Sequence, residues 1–261
     1  MNKILLGSLV LATALLFSSC KKEDDTNTSN NPTSSSIIPG NGLRLTKAYA
    51  LSLIPTGMQD SSLVQNVISS LEGHISDFSS SLVVPSSAEY TDLSSVSSIN
   101  VSSKSSAAVP AFTCSSFNSY SDKYAWSEST LTNELKYGDD VNKKYWNVET
   151  TDTTSSDQSI VNVYESKTAD AGCIKIDNNI DEYKESLVWV DNESTASSSK
   201  TSVSSPTYDQ ISYEFDDNNA SDYEYIYIRL NSNGSGFIEY ETNSSYEELN
   251  WDTNGNLITN R

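Results

Sequence analysis

The segment Tyr223-Glu224-Tyr225-Ile226-Tyr227-Ile228-Arg229-Leu230 decides the fold of this chain of 261 residues. Its aliphatic residues alternate with tyrosine and charged residues, which is the two-residue period of a β-strand with one buried face. Similar segments follow at 236–241, 246–251 and 257–258, and another precedes it at 210–215. Runs of Asp, Asn, Ser and Gly separate them, and these residues form tight hairpin turns. The C-terminal third therefore predicts consecutive antiparallel strands, a meander.

The same pattern extends upstream through segments 144–149, 159–164, 173–176 and 186–190. We therefore predict a mainly β domain over residues 118–261. A curved sheet, a half-barrel and a closed lipocalin-like barrel all fit this pattern, and no motif chooses among them. Trp146, Trp189 and Trp251 are expected in its core, because large aromatic side chains dominate the buried area of a domain.

One amphipathic helix is predicted before the β domain. Ser62 as N-cap with Gln65 three residues later resembles a capping box. The apolar residues that follow recur at helical spacing and define one face, which we expect to pack on the sheet: Val64, Val67, Ile68, Leu71, Ile75 and Phe78. This helix and a serine-rich lead-in occupy residues 43–117. His74 lies on the helix and, with no partner evident in the sequence, is expected to be a packing or surface residue.

The first 19 residues have the layout of a secretory signal. Lys3 precedes an apolar run from Ile4 to Phe17, which is too short to span a hydrocarbon core that needs about 20 residues. Small Ser18 and Ser19 then precede Cys20, and polar, charged residues follow it to residue 42. Residues 20–42 are too poor in apolar side chains to fold alone and are predicted to be a disordered tether.

Phe17-Ser18-Ser19-Cys20 resembles the lipobox of bacterial lipoproteins, and Lys22-Glu23-Asp24-Asp25 resembles the surface-export tether of Bacteroidota lipoproteins. The resemblance concerns sorting and not fold. It implies cleavage before Cys20 and lipidation of that cysteine, with a palmitate-type acyl chain among its lipids. It also implies anchoring in the outer membrane, exposed at the cell surface or, as the alternative, facing the periplasm. Two or more acyl chains hold a protein durably on a membrane.

The charge of the chain indicates which partners it can bind, and its cysteines indicate whether it forms a disulfide. The chain has 16 basic and 35 acidic residues and a formal net charge of −19, which argues against binding to nucleic acid. Cys114 and Cys173 remain after Cys20, and in an exported protein such a pair predicts a structural disulfide. Their loop would contribute roughly 4 kcal/mol by closure entropy.

Few residues are candidates for a site. No catalytic residue is assigned, because the chain has one histidine and no nucleophile elbow, phosphate loop or dinucleotide fingerprint. Tyr223, Tyr225 and Tyr227 would stack on sugar rings if exposed, or form ordinary cross-strand packing if covered, which we favour. Asp252, Asn254 and Asn256 imitate the start of a calcium loop but lack its twelfth-position acid, so turn formation is the favoured explanation and no metal or other cofactor is predicted.

The sequence thus predicts a lipid-anchored envelope protein with a non-enzymatic binding or structural β domain. Its expected partners are the membrane, through the anchor, and a glycan or an envelope protein. The first alternative is a carbohydrate-binding accessory lipoprotein that uses the tyrosine ladder. The second is a carboxylate-dependent hydrolase.

Overall fold

A computed structural model describes residues 36–94, 114, 120–167, 170–194, 207–217 and 222–258, with side chains undescribed at 191–194 and 207. All of these belong to one unit, Ser34–Arg261. The signal segment, Cys20 and most of the tether lie outside the described residues. None of the described helices is long and apolar enough to cross a membrane.

Twelve antiparallel strands form one sheet in which every strand pairs with its neighbours in sequence. The strands are β1 (Glu89–Asp92), β2 (Asp122–Glu128), β3 (Leu131–Asp139), β4 (Lys143–Asp152), β5 (Gln158–Ser166), β6 (Gly172–Asn178), β7 (Tyr183–Ser194), β8 (Thr207–Asp217), β9 (Tyr223–Asn231), β10 (Gly236–Thr242), β11 (Ser245–Trp251) and β12 (Leu257–Ile258). The sheet is not closed, with β1 and β12 at its edges. The predicted meander is confirmed, and the closed barrel is wrong.

Two α-helices precede most of the sheet: α1 (Lys47–Ser52) and α2 (Ser62–Ser81). The N-cap of α2 is Ser61, whose Oγ accepts the backbone N–H of Val64 at 3.3 Å. The predicted capping box is therefore wrong by one residue, and Gln65 donates its side-chain amide to the carbonyl of Gln59 instead. Two short 3-10 helices, Pro39–Asn41 and Thr56–Met58, complete the helical elements of the described residues.

The core lies between α2 and one face of the sheet, the inner face. The predicted stripe of α2 is buried, except that Ile75 is half-buried. Strands β3 to β11 each contribute buried inner-face residues, among them Leu135, Trp146, Val163, Ile174, Leu187, Ile211, Ile226, Ile238 and Trp251. Full burial of one such aliphatic side chain stabilises by about 1.5–3 kcal/mol. The three tryptophans predicted for the core are all buried.

Residues 36–42, which the sequence analysis assigns to the tether, pack against the sheet. Ile37 forms a β-bridge with Val84, and the buried Trp146 indole donates to the carbonyl of Pro39 at 3.0 Å. The apolar pair Ile37-Ile38 and Pro39 give this stretch the side chains that the preceding polar residues lack. The folded domain therefore begins before the helical lead-in.

Cys114 and Cys173 form the predicted disulfide, with Cα atoms 5.8 Å apart across a separation of 59 residues. Cys173 is a buried residue of β6. It lies on the outer face of the sheet, because its neighbours Ile174 and Ile176 alternate into the core. The bond therefore ties the lead-in to the side of the sheet opposite α2.

Candidate functional site

An ion-pair cluster centred on His74 joins α2 to the inner face of the sheet. Its Nε2 lies 3.1 Å from Oε2 of Glu224 on β9, and its Nδ1 lies 3.2 Å from Oε1 of Glu185 on β7. Tyr213, from the intervening strand β8, stacks on the imidazole with ring centroids 4.0 Å apart. Its hydroxyl donates to Glu185 at 2.9 Å and lies 3.0 Å from Nδ1 of His74. Ser70, one turn before His74, donates to Oε1 of Glu224 at 2.6 Å.

This environment keeps the imidazole charged at neutral pH. Burial of the ring lowers the pKa of His74, but the hydrogen bonds and charges of Glu185 and Glu224 outweigh it and raise the pKa to about 9. Burial also raises the pKa of Glu224, yet His74 and Ser70 hold it below its usual range. Burial and then Glu185 raise the pKa of Tyr213 well above its ordinary value. The cluster is therefore an imidazolium held between two carboxylates.

The cluster contains the residue types of a Ser–His–acid triad but not its protonation. A general base needs an unprotonated nitrogen that faces the nucleophile. Nε2 of His74 is 3.2 Å from Ser70 Oγ, but it also faces the Glu224 carboxylate, and the Ser70 hydroxyl donates its hydrogen bond to that carboxylate. The arrangement stabilises the contact between helix and sheet and does not activate Ser70.

The cluster also does not form a metal site. The two carboxylates engage opposite nitrogens of one imidazole, so the three groups do not converge on a common point. Within the described ranges, no group of three His, Cys, Asp or Glu residues could hold a metal ion.

The expectation that His74 has no partner is wrong. Its partners come more than a hundred residues later, so helical spacing alone could not find them. A signal was nevertheless present in the strands. Glu185 precedes the inward-facing Leu187 and Trp189 in the two-residue series, and Glu224 precedes Ile226 and Ile228 in the same way. A carboxylate in an inward-facing series needs a cation.

The tyrosines of β9 lie on the outer face. Ile226 and Ile228 are fully buried, and Tyr223, Tyr225 and Tyr227 project from the other side, each half-buried. The rings of Tyr225 and Tyr227 are nearly parallel, 19° apart, with centroids separated by 6.3 Å. The tyrosines are thus neither fully covered, as we favoured, nor isolated from their neighbours.

Neighbouring strands extend this aromatic strip. Phe237 lies 5.2 Å from the ring of Tyr227, whose hydroxyl donates to Gln210 at 2.8 Å. Arg229 stacks over Tyr208, with its guanidinium carbon 3.9 Å from the ring centroid.

Carboxylates border the strip in register. Tyr227 is opposite Glu239, which is opposite Glu248, and Tyr225 is opposite Glu241. We call the following set the acidic aromatic face: Glu214, Tyr225, Tyr227, Phe237, Glu239, Glu241, Tyr246 and Glu248. Burial, and then the Glu239 carboxylate, raises the pKa of Tyr225 to about 12, as expected for a phenol close to that charge.

The calcium-like segment is a turn. Oδ1 of Asp252 accepts the backbone N–H groups of Asn254 at 2.8 Å and Asn256 at 2.9 Å, and its Oδ2 accepts the Asn256 amide. These hydrogen bonds lower the pKa of Asp252. The carboxylate is directed into its own turn, as the favoured explanation predicts.

A cavity of about 200 Å³ lies between the segment at Arg44, α1 and the strands β5 and β7. The buried Glu165 carboxylate lines it and accepts the backbone N–H of Arg44 at 2.6 Å. Its other oxygen has no hydrogen bond within the described part of the chain, and the Lys144 ammonium is 4.0 Å away. Burial raises the pKa of Glu165, and Arg44 and Lys144 oppose that rise. The arrangement fastens the segment before α1 to the sheet.

No protein-family model, curated protein or solved structure matches this chain. Its function is therefore argued from the residues themselves.

Proposed function

We propose that this chain is a lipid-anchored cell-envelope protein whose β domain is a non-enzymatic binding module, with the acidic aromatic face as its binding surface. The observation that carries the proposal is that one face of the sheet is covered by the helix and the other presents accessible aromatic side chains. Helix α2 and the His74 cluster occupy the inner face, whereas β8–β11 present half-buried and exposed aromatic side chains on the outer face. Partly exposed aromatic residues are typical of binding surfaces.

The anchor is supported by the sequence around Cys20, where an apolar leader ends in small residues and a cysteine. Lipidation there would hold the domain on the outer membrane, and the tether would separate it from the lipid surface. Cell fractionation tests this part. Cys20→Ala should move the protein from the membrane to the soluble fraction and abolish acyl labelling, whereas Cys173→Ala should remain membrane-bound. A Cys20→Ala protein that stays in the membrane would contradict the anchor.

Protease treatment of intact cells separates the two orientations. Surface exposure, which the Lys22-Glu23-Asp24-Asp25 resemblance favours, predicts cleavage without breaking the outer membrane. Cleavage that requires permeabilised cells would support the periplasm-facing alternative.

The binding surface is tested with Tyr225→Ala. Tyr90→Ala is a matched control, because Tyr90 is an exposed tyrosine on the edge strand β1, far in the strand order from β9. We expect the labelled Cys20→Ala chain, which cannot bind through acyl chains, to bind isolated bacterial envelopes, and the addition of Tyr225→Ala but not of Tyr90→Ala to weaken that binding. Equal binding by both variants would exclude the acidic aromatic face as the surface.

Carbohydrate binding by Tyr223, Tyr225 and Tyr227 is the second candidate. The half-exposure of these tyrosines favours it, because fully covered rings could not stack on a sugar. A glycan-array signal that Tyr225→Ala abolishes would support this candidate.

A carboxylate-dependent hydrolase would need two carboxylates directed at a substrate. Glu185 and Glu224 instead contact opposite nitrogens of the His74 imidazole. This observation favours the binding module.

A further inference from the structure

The carboxylates of the acidic aromatic face have no ion pair among the described residues, unlike Glu134 and Glu149 at the other end of the outer face. At β2–β4, Glu134 pairs with Lys123 and with Lys136, the latter at 2.8 Å, and Lys136 also reaches Glu149 at 3.3 Å. Burial raises the pKa of Glu134, but the two lysines hold it below its usual range. Lysine side chains of the sheet itself therefore neutralise these two carboxylates.

In the described part of the chain, the carboxylates of the acidic aromatic face have no such lysine beside them. Among the described residues, no ion pair includes Glu214, Glu239, Glu241 or Glu248. Arg229 is the single basic residue in β8–β11, and its guanidinium stacks on Tyr208 and donates to Asn231 at 2.9 Å.

The strand register brings negative charges together on this face, which is unfavourable unless a cation lies beside them. Glu239 and Glu248 are directly opposite on β10 and β11, and like charges in such a pair destabilise a sheet. Burial, and then Glu248 and Glu241, raises the pKa of Glu239, which is the reverse of the shift at Glu134.

We propose that the acidic aromatic face binds an extended peptide segment of a partner protein that carries lysine or arginine at alternate positions. This inference rests on the proposed function and names the partner class of the same surface.

Spacing and chemistry both fit this partner. Alternate residues of one strand are about 7 Å apart on the same face. Glu239 and Glu241 have this relation on β10, so an extended peptide with cations two residues apart can place one beside each carboxylate. Tyr225 and the exposed Tyr246 flank Glu241, and Tyr227 is opposite Glu239, so tyrosine rings can cover the aliphatic stems and attract the cationic heads.

Isothermal titration calorimetry of the full chain in non-ionic detergent tests the inference. The probe is a dodecapeptide of alternating lysine and threonine, and the control ligand has glutamine in place of each lysine. We expect binding of the lysine peptide alone, and marked weakening between 0.05 M and 0.5 M salt as the Debye length shortens.

Glutamine substitutions of single glutamates test whether the peptide binds at the acidic aromatic face. An exposed ion pair typically changes an equilibrium constant by about twofold to fivefold, so Glu239→Gln and Glu241→Gln should each weaken binding by about that factor. Glu247→Gln is the matched control: it also removes one charge, but at a position on β11 whose register partner Tyr240 packs against the core, and it should change the affinity less than twofold.

Three outcomes overturn the inference: equal weakening by Glu247→Gln, equal binding of the glutamine peptide, or absence of binding at millimolar peptide. A neutral glucose hexaose that binds in a Tyr225-dependent way, without peptide binding, would also overturn it while leaving the proposed binding surface intact. Envelope binding that is insensitive to Tyr225→Ala would instead remove the proposed function itself.

Discussion

Replacement of His74 should make the stability of the domain less dependent on pH in a defined direction. The folded pKa of about 9 is raised above the ordinary 6.5. The imidazolium therefore stabilises the folded state fully below pH 6.5, and this stabilisation is lost as the pH rises through 9. His74→Gln lacks this contribution at every pH, so the gap between the two proteins should close at high pH.

The magnitude follows from the two pKa values. Each tenfold difference in proton affinity corresponds to about 1.4 kcal/mol, so the shift is worth about 3 kcal/mol in the unfolding free energy. The His74 side chain is 23% exposed, so solvent screening reduces this value only modestly. We expect wild type to exceed His74→Gln by about 2–3 kcal/mol at pH 6, and the difference to fall by most of that amount by pH 10.

Urea unfolding followed by tryptophan fluorescence at pH 6, 7, 8, 9 and 10 measures this difference, with Glu72→Gln as the control on an exposed site of the same helix. Because the chain has one histidine, its NMR signal gives the folded pKa directly in protein purified without a histidine tag. A pKa near 6.5, or a stability gap that stays constant from pH 6 to pH 10, would refute the reasoning.

Two further predictions concern the scaffold. Gly73→Ala should stabilise the domain by about 1 kcal/mol, because a Cβ there meets no atom within 4 Å and alanine favours a helix. Gly172→Ala should destabilise it by about 1–3 kcal/mol, because its Cβ would overlap the ring of Trp189. Thermal melting tests both: a Gly73→Ala protein that melts no higher than wild type, or a Gly172→Ala protein that melts no lower, would contradict the respective prediction. Removal of the Cys114–Cys173 bond by double alanine substitution should cost about 4 kcal/mol and lower the melting temperature by about 10 °C, and reduction of wild type should give a similar decrease.

The sequence predicted the sheet well because each strand carries its own signal. The two-residue period identifies the buried face of β9 from Ile226 and Ile228 alone, and short turns leave adjacent pairing as the natural topology. Whether the sheet closes into a barrel could not be predicted in this way. Whether a first and a last strand pair depends on the accumulated twist and on what fills the interior, and neither is a local property of the sequence.

The candidate sites show the same division between local and distant information. The Asp252 turn was predictable, because its hydrogen-bond partners lie within four residues. The His74 cluster was missed, because it requires the orientation of α2 against β7 and β9, which depends on packing across the whole core. The unpaired state of Glu239 was equally hidden, since a sequence shows which charges exist but not which cations come near them.

Folding requires a cation beside a buried carboxylate but not beside an exposed one. A carboxylate that is shielded from water must have a compensating group, because an isolated buried charge costs several kcal/mol, and Glu185, Glu224 and Glu165 each have a cation within 4.0 Å. An exposed carboxylate can remain unpaired at a cost of a few tenths of a kcal/mol. The carboxylates of the acidic aromatic face, which have no ion pair among the described residues, are thus tolerated by the fold but not required by it. Their position beside Tyr225 and Tyr246 is the feature on which the proposal of a cationic partner rests.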